Sequence, residues 1–242
     1  MKFRRFVGSA LVATLLTAPI SLSHENKKIS FSENFTELAS SSKYLHGKGV
    51  ELENCINDTM PLEISRIRRL IGLKDKSNPT IIYTVFPDMV TLGKYYSDTI
   101  AIDTSKVYYD RRNTCSELAG HEAGHFGLDN ISLEMGNGHW PPQYSMESDS
   151  LRFWWDKTVS EGFATLLSGR EFKLNLKWPK TISELSHAHH YYLGSRLLSG
   201  LVQEFGYKRL IPVVITNPAA DSEVFQPQIW QKRIRHLMNA HK

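Results

Sequence analysis

A chain of 242 residues is long enough for one substantial domain or two small ones, and its balance of 41% hydrophobic to 22% charged residues excludes disorder as the overall state. The formal net charge of +4 is small and spread along the chain, without the concentrated basic stripe of a nucleic-acid binder. The short clusters Arg66, Arg68, Arg69 and Lys232, Arg233, Arg235 read as solvated helix faces.

The chain opens like a targeting segment. Lys2, Arg4 and Arg5 precede an apolar run from Phe6 to Leu22, and Ser21 and Ser23 offer small residues for cleavage near His24. Residues 1–23 are therefore expected to be a signal peptide, with an uncleaved anchor as the competing reading. Gly8 and Pro19 break the run, which falls short of the ~20 apolar residues a spanning helix needs. No second stretch of spanning length follows. The expectation is a protein exported to the periplasm or secreted, without stable membrane insertion once the segment is removed.

Residues 24–48 are expected to form a polar leader. Helix is predicted from about Gly49 to Leu73, interrupted or restarted at Pro61, with Ile64, Ile67, Leu70 and Ile71 at helical spacing and Gly72 as a stop. Asn78-Pro79 marks a turn before Thr80–Phe86, a β-branched and aromatic run that reads as a strand. Thr99–Ile102 and Lys106–Tyr109 are shorter strand candidates. Thr114 can cap a helix whose Glu117 stands at capping-box spacing and which runs to about Gly127. Residues 129–150, with Gly136, Gly138, Pro141 and Pro142, read as an irregular connection. Further helices are predicted at about 151–169, 182–205, 207–215 and 227–240. The fold class is α+β, a small mixed or antiparallel sheet packed on a mainly helical lobe.

Two cysteines, Cys55 and Cys115, permit one disulfide in an exported chain, against the alternative of two separate buried thiols. They lack any zinc-finger spacing.

The chemistry concentrates at residues 121–125, His-Glu-Ala-Gly-His. On a helix, positions i and i+4 lie on one face, so His121 and His125 can bind one cation, and Glu122 can act on a water as general base. Gly124 costs roughly 1 kcal/mol relative to Ala inside a helix, which points to a close neighbour there. Two surface histidines are the bland alternative. A catalytic zinc wants a third protein ligand. His139 and Asp149 lie in the irregular connection and are weaker candidates. Glu161 is the better one, because a lone carboxylate in the apolar stretch Ser160–Leu167 is expensive to bury unless paired or bound to metal.

His-Glu-Ala-Gly-His followed by an apolar helix bearing Glu161-Gly162-Phe163-Ala164 resembles the gluzincins, zinc metallopeptidases whose third ligand is a glutamate on a separate helix. The wording is similar to the aminopeptidase N-like branch and to compact bacterial peptidase-MA-like domains. A third match, His190-Tyr191-Tyr192-Leu193-Gly194, resembles the family segment whose tyrosine stabilises an oxyanion, a role that falls on Tyr191 with Tyr192 as its rival. The resemblance spans roughly residues 79–215. It implies a single zincin-like domain over 49–242, one Zn2+ held by His121, His125 and Glu161, Glu122 as general base, and a peptide or protein substrate. Thr165 stands where thermolysin-like enzymes carry an aspartate. No counterpart of the strand that holds a free N-terminus in the aminopeptidases precedes His121, which favours internal cleavage or an unusual substrate. The alternatives are an inactive zincin-fold binding protein and a zinc amidohydrolase acting on cell-wall peptides. Trp140, Phe153, Trp154 and Trp155 are candidates to line a cleft, with core packing preferred for at least two. His187, His189 and His190 read as a solvated helix end rather than a second metal site.

Overall fold

The computed structural model describes residues 43–74, 78–84, 86, 92–103, 115–141, 151–170, 176–184 and 190–240, with side chains from Val50 onward. The chain divides after Ser30, and all described residues belong to the second unit, Phe31–Lys242. The expected signal peptide, the leader up to residue 42, the Thr114 cap and the strand Lys106–Tyr109 lie outside the described residues, as do Asp149, His187 and His189.

The first helix, α1, spans Lys43–Ile71 without a break, so it takes in the end of the expected leader and passes through Pro61. Leu52, Ile56, Met60, Ile64, Ile67 and Ile71 recur every three or four residues and are all buried, giving one apolar stripe facing the core. Pro61 lies on the opposite, exposed side, where water can serve the carbonyl deprived of its backbone partner.

Three short strands follow: β1 (Thr80–Thr84), β2 (Gly93–Tyr96) and β3 (Thr99–Asp103), in the order β1-β3-β2. β3 pairs parallel with β1, Thr80 opposite Thr99, and antiparallel with β2, Gly93 opposite Ile102. The sheet is mixed, and its central strand buries Ile100, Ala101 and Ile102. β2, missing from the sequence-based assignment, joins β3 through Ser97 and Asp98, both at positive φ, a two-residue hairpin turn whose twist suits antiparallel strands.

Helix α2 (Cys115–Glu134) is buried on nearly every side, as expected of a helix enclosed by other elements rather than one with a single wet face. It continues past the predicted stop at Gly127, because its glycines make room for neighbours instead of ending the helix. A Cβ at Gly127 would lie 2.8 Å from Ile71 Cδ1, and one at Gly124 would lie 2.9 Å from Ala164 Cα. The irregular connection thus begins after Glu134 rather than at 129. Its described part includes Trp140, which is buried, and the half-buried Pro141.

Helices α3 (Leu151–Leu167) and α4 (His190–Phe205) cross with almost no separation: a Cβ at Gly162 would meet Gly194 Cα at 2.6 Å. Where one helix was predicted from residue 182, a single 3-10 turn, Ile182–Glu184, precedes α4. Helices α5 (Tyr207–Thr216), α6 (Asp221–Val224) and α7 (Pro227–Ala240) close the lobe. Trp155 packs edge-on against Trp230 with ring centres 4.9 Å apart, and Trp154 against Trp178 at 5.8 Å. Trp140, Trp154 and Trp155 are core residues, which leaves Phe153 as the half-buried member of the aromatic set.

The charge clusters are less solvated than the sequence suggests. Arg68 is buried, its guanidinium 5.5 Å above the Phe126 ring and donating to Asn78 Oδ1. Arg66 pairs with Glu63 and donates to the Leu167 carbonyl at the end of α3, while Arg233 and Arg235 pair with Glu223 and Glu204. A disulfide joins Cys55 on α1 to Cys115, the first residue of α2, with Cα atoms 6.3 Å apart. Among the described residues, no helix is long and apolar enough to cross a membrane.

Candidate metal centre

The two imidazoles project from α2 four residues apart, their rings edge-to-face with centres separated by 4.8 Å. Their Nε2 atoms lie 3.2 Å apart. Glu161 approaches from α3, placing Oε2 3.0 Å from His121 Nε2 and 3.4 Å from His125 Nε2. Two elements separated by forty positions in sequence therefore aim three donor atoms at one point. The close approach of Gly124 to Ala164 makes this convergence attainable. A larger residue at 124 would hold the two backbones apart.

The donor set fits a divalent cation. With nitrogen and oxygen ligands at about 2.1 Å in tetrahedral array, neighbouring donors sit about 3.4 Å from one another, close to the spacing seen here. His125 Nδ1 lies 3.0 Å from Ser160 Oγ, within hydrogen-bond reach; with its proton on Nδ1, donated to the hydroxyl, the ring would offer Nε2 to a cation. All three side chains are nearly enclosed, exposing 12–13% of their surface. Among the described residues, His121, His125 and Glu161 form the group that could hold a metal ion, with all their ligand atoms within 4.8 Å of one another.

Electrostatics bind the trio together. Burial would raise the Glu161 carboxyl, but the His125 charge and hydrogen bonds from both imidazoles outweigh it and hold the group far below the ordinary carboxylate range. Burial would likewise lower His125, yet the Glu161 charge and hydrogen bond raise it. Glu122 is different. It is buried, and desolvation lifts its carboxyl above the ordinary value against the pull of both histidines. Its Oε2 has no hydrogen-bond partner among the described residues. A buried carboxylate oxygen without a partner, beside three side chains that could hold a cation, is a feature that calls for an explanation.

Tyr191, at the start of α4, sets its ring 5.4 Å from that of His121 and is 38% exposed, whereas Tyr192 packs against the core. Of the two tyrosines, Tyr191 stands beside the centre. His190 is fully buried, with Nδ1 2.7 Å from Thr158 Oγ1, which itself donates to the Trp154 carbonyl. It is a core histidine and not part of a solvated helix end. His139 is likewise away from the trio, 2.8 Å from Asp129 Oδ2, and that pairing raises its pKa. Thr165 is buried, and its hydroxyl has no hydrogen-bond partner among the described residues.

Three neighbours of the centre escaped sequence reasoning. Ser160 is one of many helix serines, and only its contact with His125 singles it out. Asp129, two turns along α2 from Glu122, accepts from Tyr95 Oη at 2.7 Å and from the Trp140 amide at 2.7 Å, in addition to its pairing with His139. Gly93 on β2 lies against Glu122. An aspartate flanked by Phe126, Leu128 and Ile131 was the one readable signal, since a carboxylate buried among apolar residues needs partners.

No protein-family model, no curated protein and no solved structure matches the chain.

Proposed function

We propose that the protein is an exported zinc-dependent peptidase. One observation carries the reading: His121, His125 and Glu161 converge within bonding reach of one cation while Glu122, with a buried Oε2 that has no hydrogen-bond partner among the described residues, stands on the same helix as the histidines. Zinc is favoured by two imidazoles and one carboxylate, a donor set that leaves an open position for chemistry. When bound by these three residues, zinc supplies Lewis acidity toward a carbonyl and toward water.

The chain's own groups do the rest. Ser160 holds the His125 ring by its contact with Nδ1, leaving Nε2 directed at the trio. Glu122 accepts a proton at its carboxylate as water adds to a peptide carbonyl and returns it to the departing amine. Its raised pKa suits the second step, because a carboxyl that holds its proton more firmly delivers it at a pH nearer neutral. Tyr191, the exposed hydroxyl-bearing residue beside His121, donates to the oxygen on which charge develops. The enclosure of the trio keeps water from competing for these contacts.

The test combines metal analysis with hydrolysis of a mixed peptide library by the mature protein, with purified wall fragments as the comparison substrate. The expected result is one zinc per chain and cleavage of the peptides, both retained only in part by Glu161→Gln. Glu122→Gln is expected to keep its zinc and lose about 10²–10⁴-fold in rate. A Glu122→Gln protein with undiminished hydrolysis would refute the assignment.

A further inference from the structure

Strand β2 is keyed to the metal helix at two points. Gly93 and Tyr95 share one face of the strand, since side-chain direction alternates, and Glu122 and Asp129 share one face of α2, seven residues apart. Gly93 lies over Glu122, and Tyr95 donates to Asp129 at 2.7 Å. Asp129 is 1% exposed and is fixed from further directions by His139 and by the Trp140 amide. That anchor does not involve Glu122. The separation of strand from helix is therefore set by the Tyr95–Asp129 bond, and Glu122 occupies the space that is left.

The space is too small for a side chain at position 93. A Cβ there would lie 2.7 Å from Glu122 Cδ and 2.8 Å from Cγ, and closer still to Oε1, whereas comfortable carbon contacts are about 3.5–4.0 Å. Gly93 has no need of its conformational freedom here, because it sits within a paired strand opposite Ile102. Strand propensity alone favours almost any other residue. We propose that Gly93 is a positioning residue for Glu122: the bare backbone of β2, held at a fixed height by Tyr95 and Asp129, forms the wall that holds the carboxylate in place beside His121, His125 and Glu161. The functional half of this inference rests on the peptidase reading; the contact itself does not.

The test is a double-mutant cycle on the mature protein with Gly93→Ala, Glu122→Ala and both together, read by thermal unfolding of the metal-free form, by zinc content and by hydrolysis. Gly93→Ala is expected to lower Tm by about 4–8 °C, the effect of overpacking in a domain of this size. In the Glu122→Ala background the same change is expected to be neutral or to raise Tm, because the obstructing side chain is gone. All three proteins retain one zinc. In active protein, Gly93→Ala lowers kcat at least tenfold with KM changed less than threefold, a split that general loosening of the fold does not produce. Equal Tm losses in both backgrounds overturn the proposal. If Gly93→Ala fails to accumulate, folding of the double variant supports it and failure of the double variant refutes it. A wild-type protein that holds zinc but cleaves nothing defeats the peptidase reading alone, while the Tm cycle still decides the contact.

Discussion

Replacing Cys55 and Cys115 together by alanine should cost the protein a large part of its margin of stability. The bridge joins residues 60 apart. In the chain-entropy treatment, closing a loop of that length removes about 14 cal/mol/K from the unfolded ensemble, or about 4 kcal/mol at 25 °C. A domain of about 200 residues loses about 2–4 °C in Tm per kcal/mol, so the double variant is expected to melt about 8–16 °C below the oxidised protein. The measurement is thermal unfolding of the metal-free protein, oxidised, reduced, and in the double alanine form. Reduced wild type and the double variant should coincide, because each lacks only the covalent link between α1 and the first turn of α2. Oxidised and bridge-free proteins melting within 2 °C of one another, or two free thiols in native protein, would refute the reasoning.

Two other outcomes follow from the centre. Zinc affinity, followed by chelator competition, should weaken as pH falls through the pKa of His125, since a protonated Nε2 cannot bind metal. That pKa is raised in the metal-free protein chiefly because Glu161's charge and hydrogen bond overcome burial, so the loss begins at a higher pH than for an ordinary histidine. Glu161→Gln should move the transition to lower pH; a flat profile between pH 6 and 8 would contradict the assignment of His125. Gly124→Val, which would place side-chain atoms against the backbone of Ala164, should destabilise the fold by at least about 2 kcal/mol and lower zinc affinity, with denaturant and metal titrations as the two readings.

Much of the centre was legible because it is local. Two histidines four apart on a helix declare themselves, Gly124 announced a close neighbour that turned out to be Ala164, and Glu161 stood out as a charge among apolar residues. What the sequence concealed is long-range. Gly127 looks like a helix stop and is instead a seat for Ile67 and Ile71. Arg68 looks solvated until Phe126 and Asn78 are brought to it. β2 is four residues long, too short to display an alternating pattern, and its role depends on Asp129 and Glu122, which are distant in sequence. The disulfide was allowed by the cysteine count and is realised because α1 runs alongside α2, an arrangement set by the stripe of isoleucines on α1.

The crossing of α3 with α4 has a consequence for how the candidate ligands are held. At Gly162 and Gly194 the two helices meet main chain to main chain, one residue beyond Glu161 on the first and three beyond Tyr191 on the second. No rotamer change can relax such a junction, so the Glu161 carboxylate and the Tyr191 phenol inherit their mutual distance from rigid rods rather than from adaptable side chains. Reshaping of the surrounding aliphatic residues should leave the spacing of those two groups untouched, and any drift in it would have to begin with a methyl group at one of the two glycines.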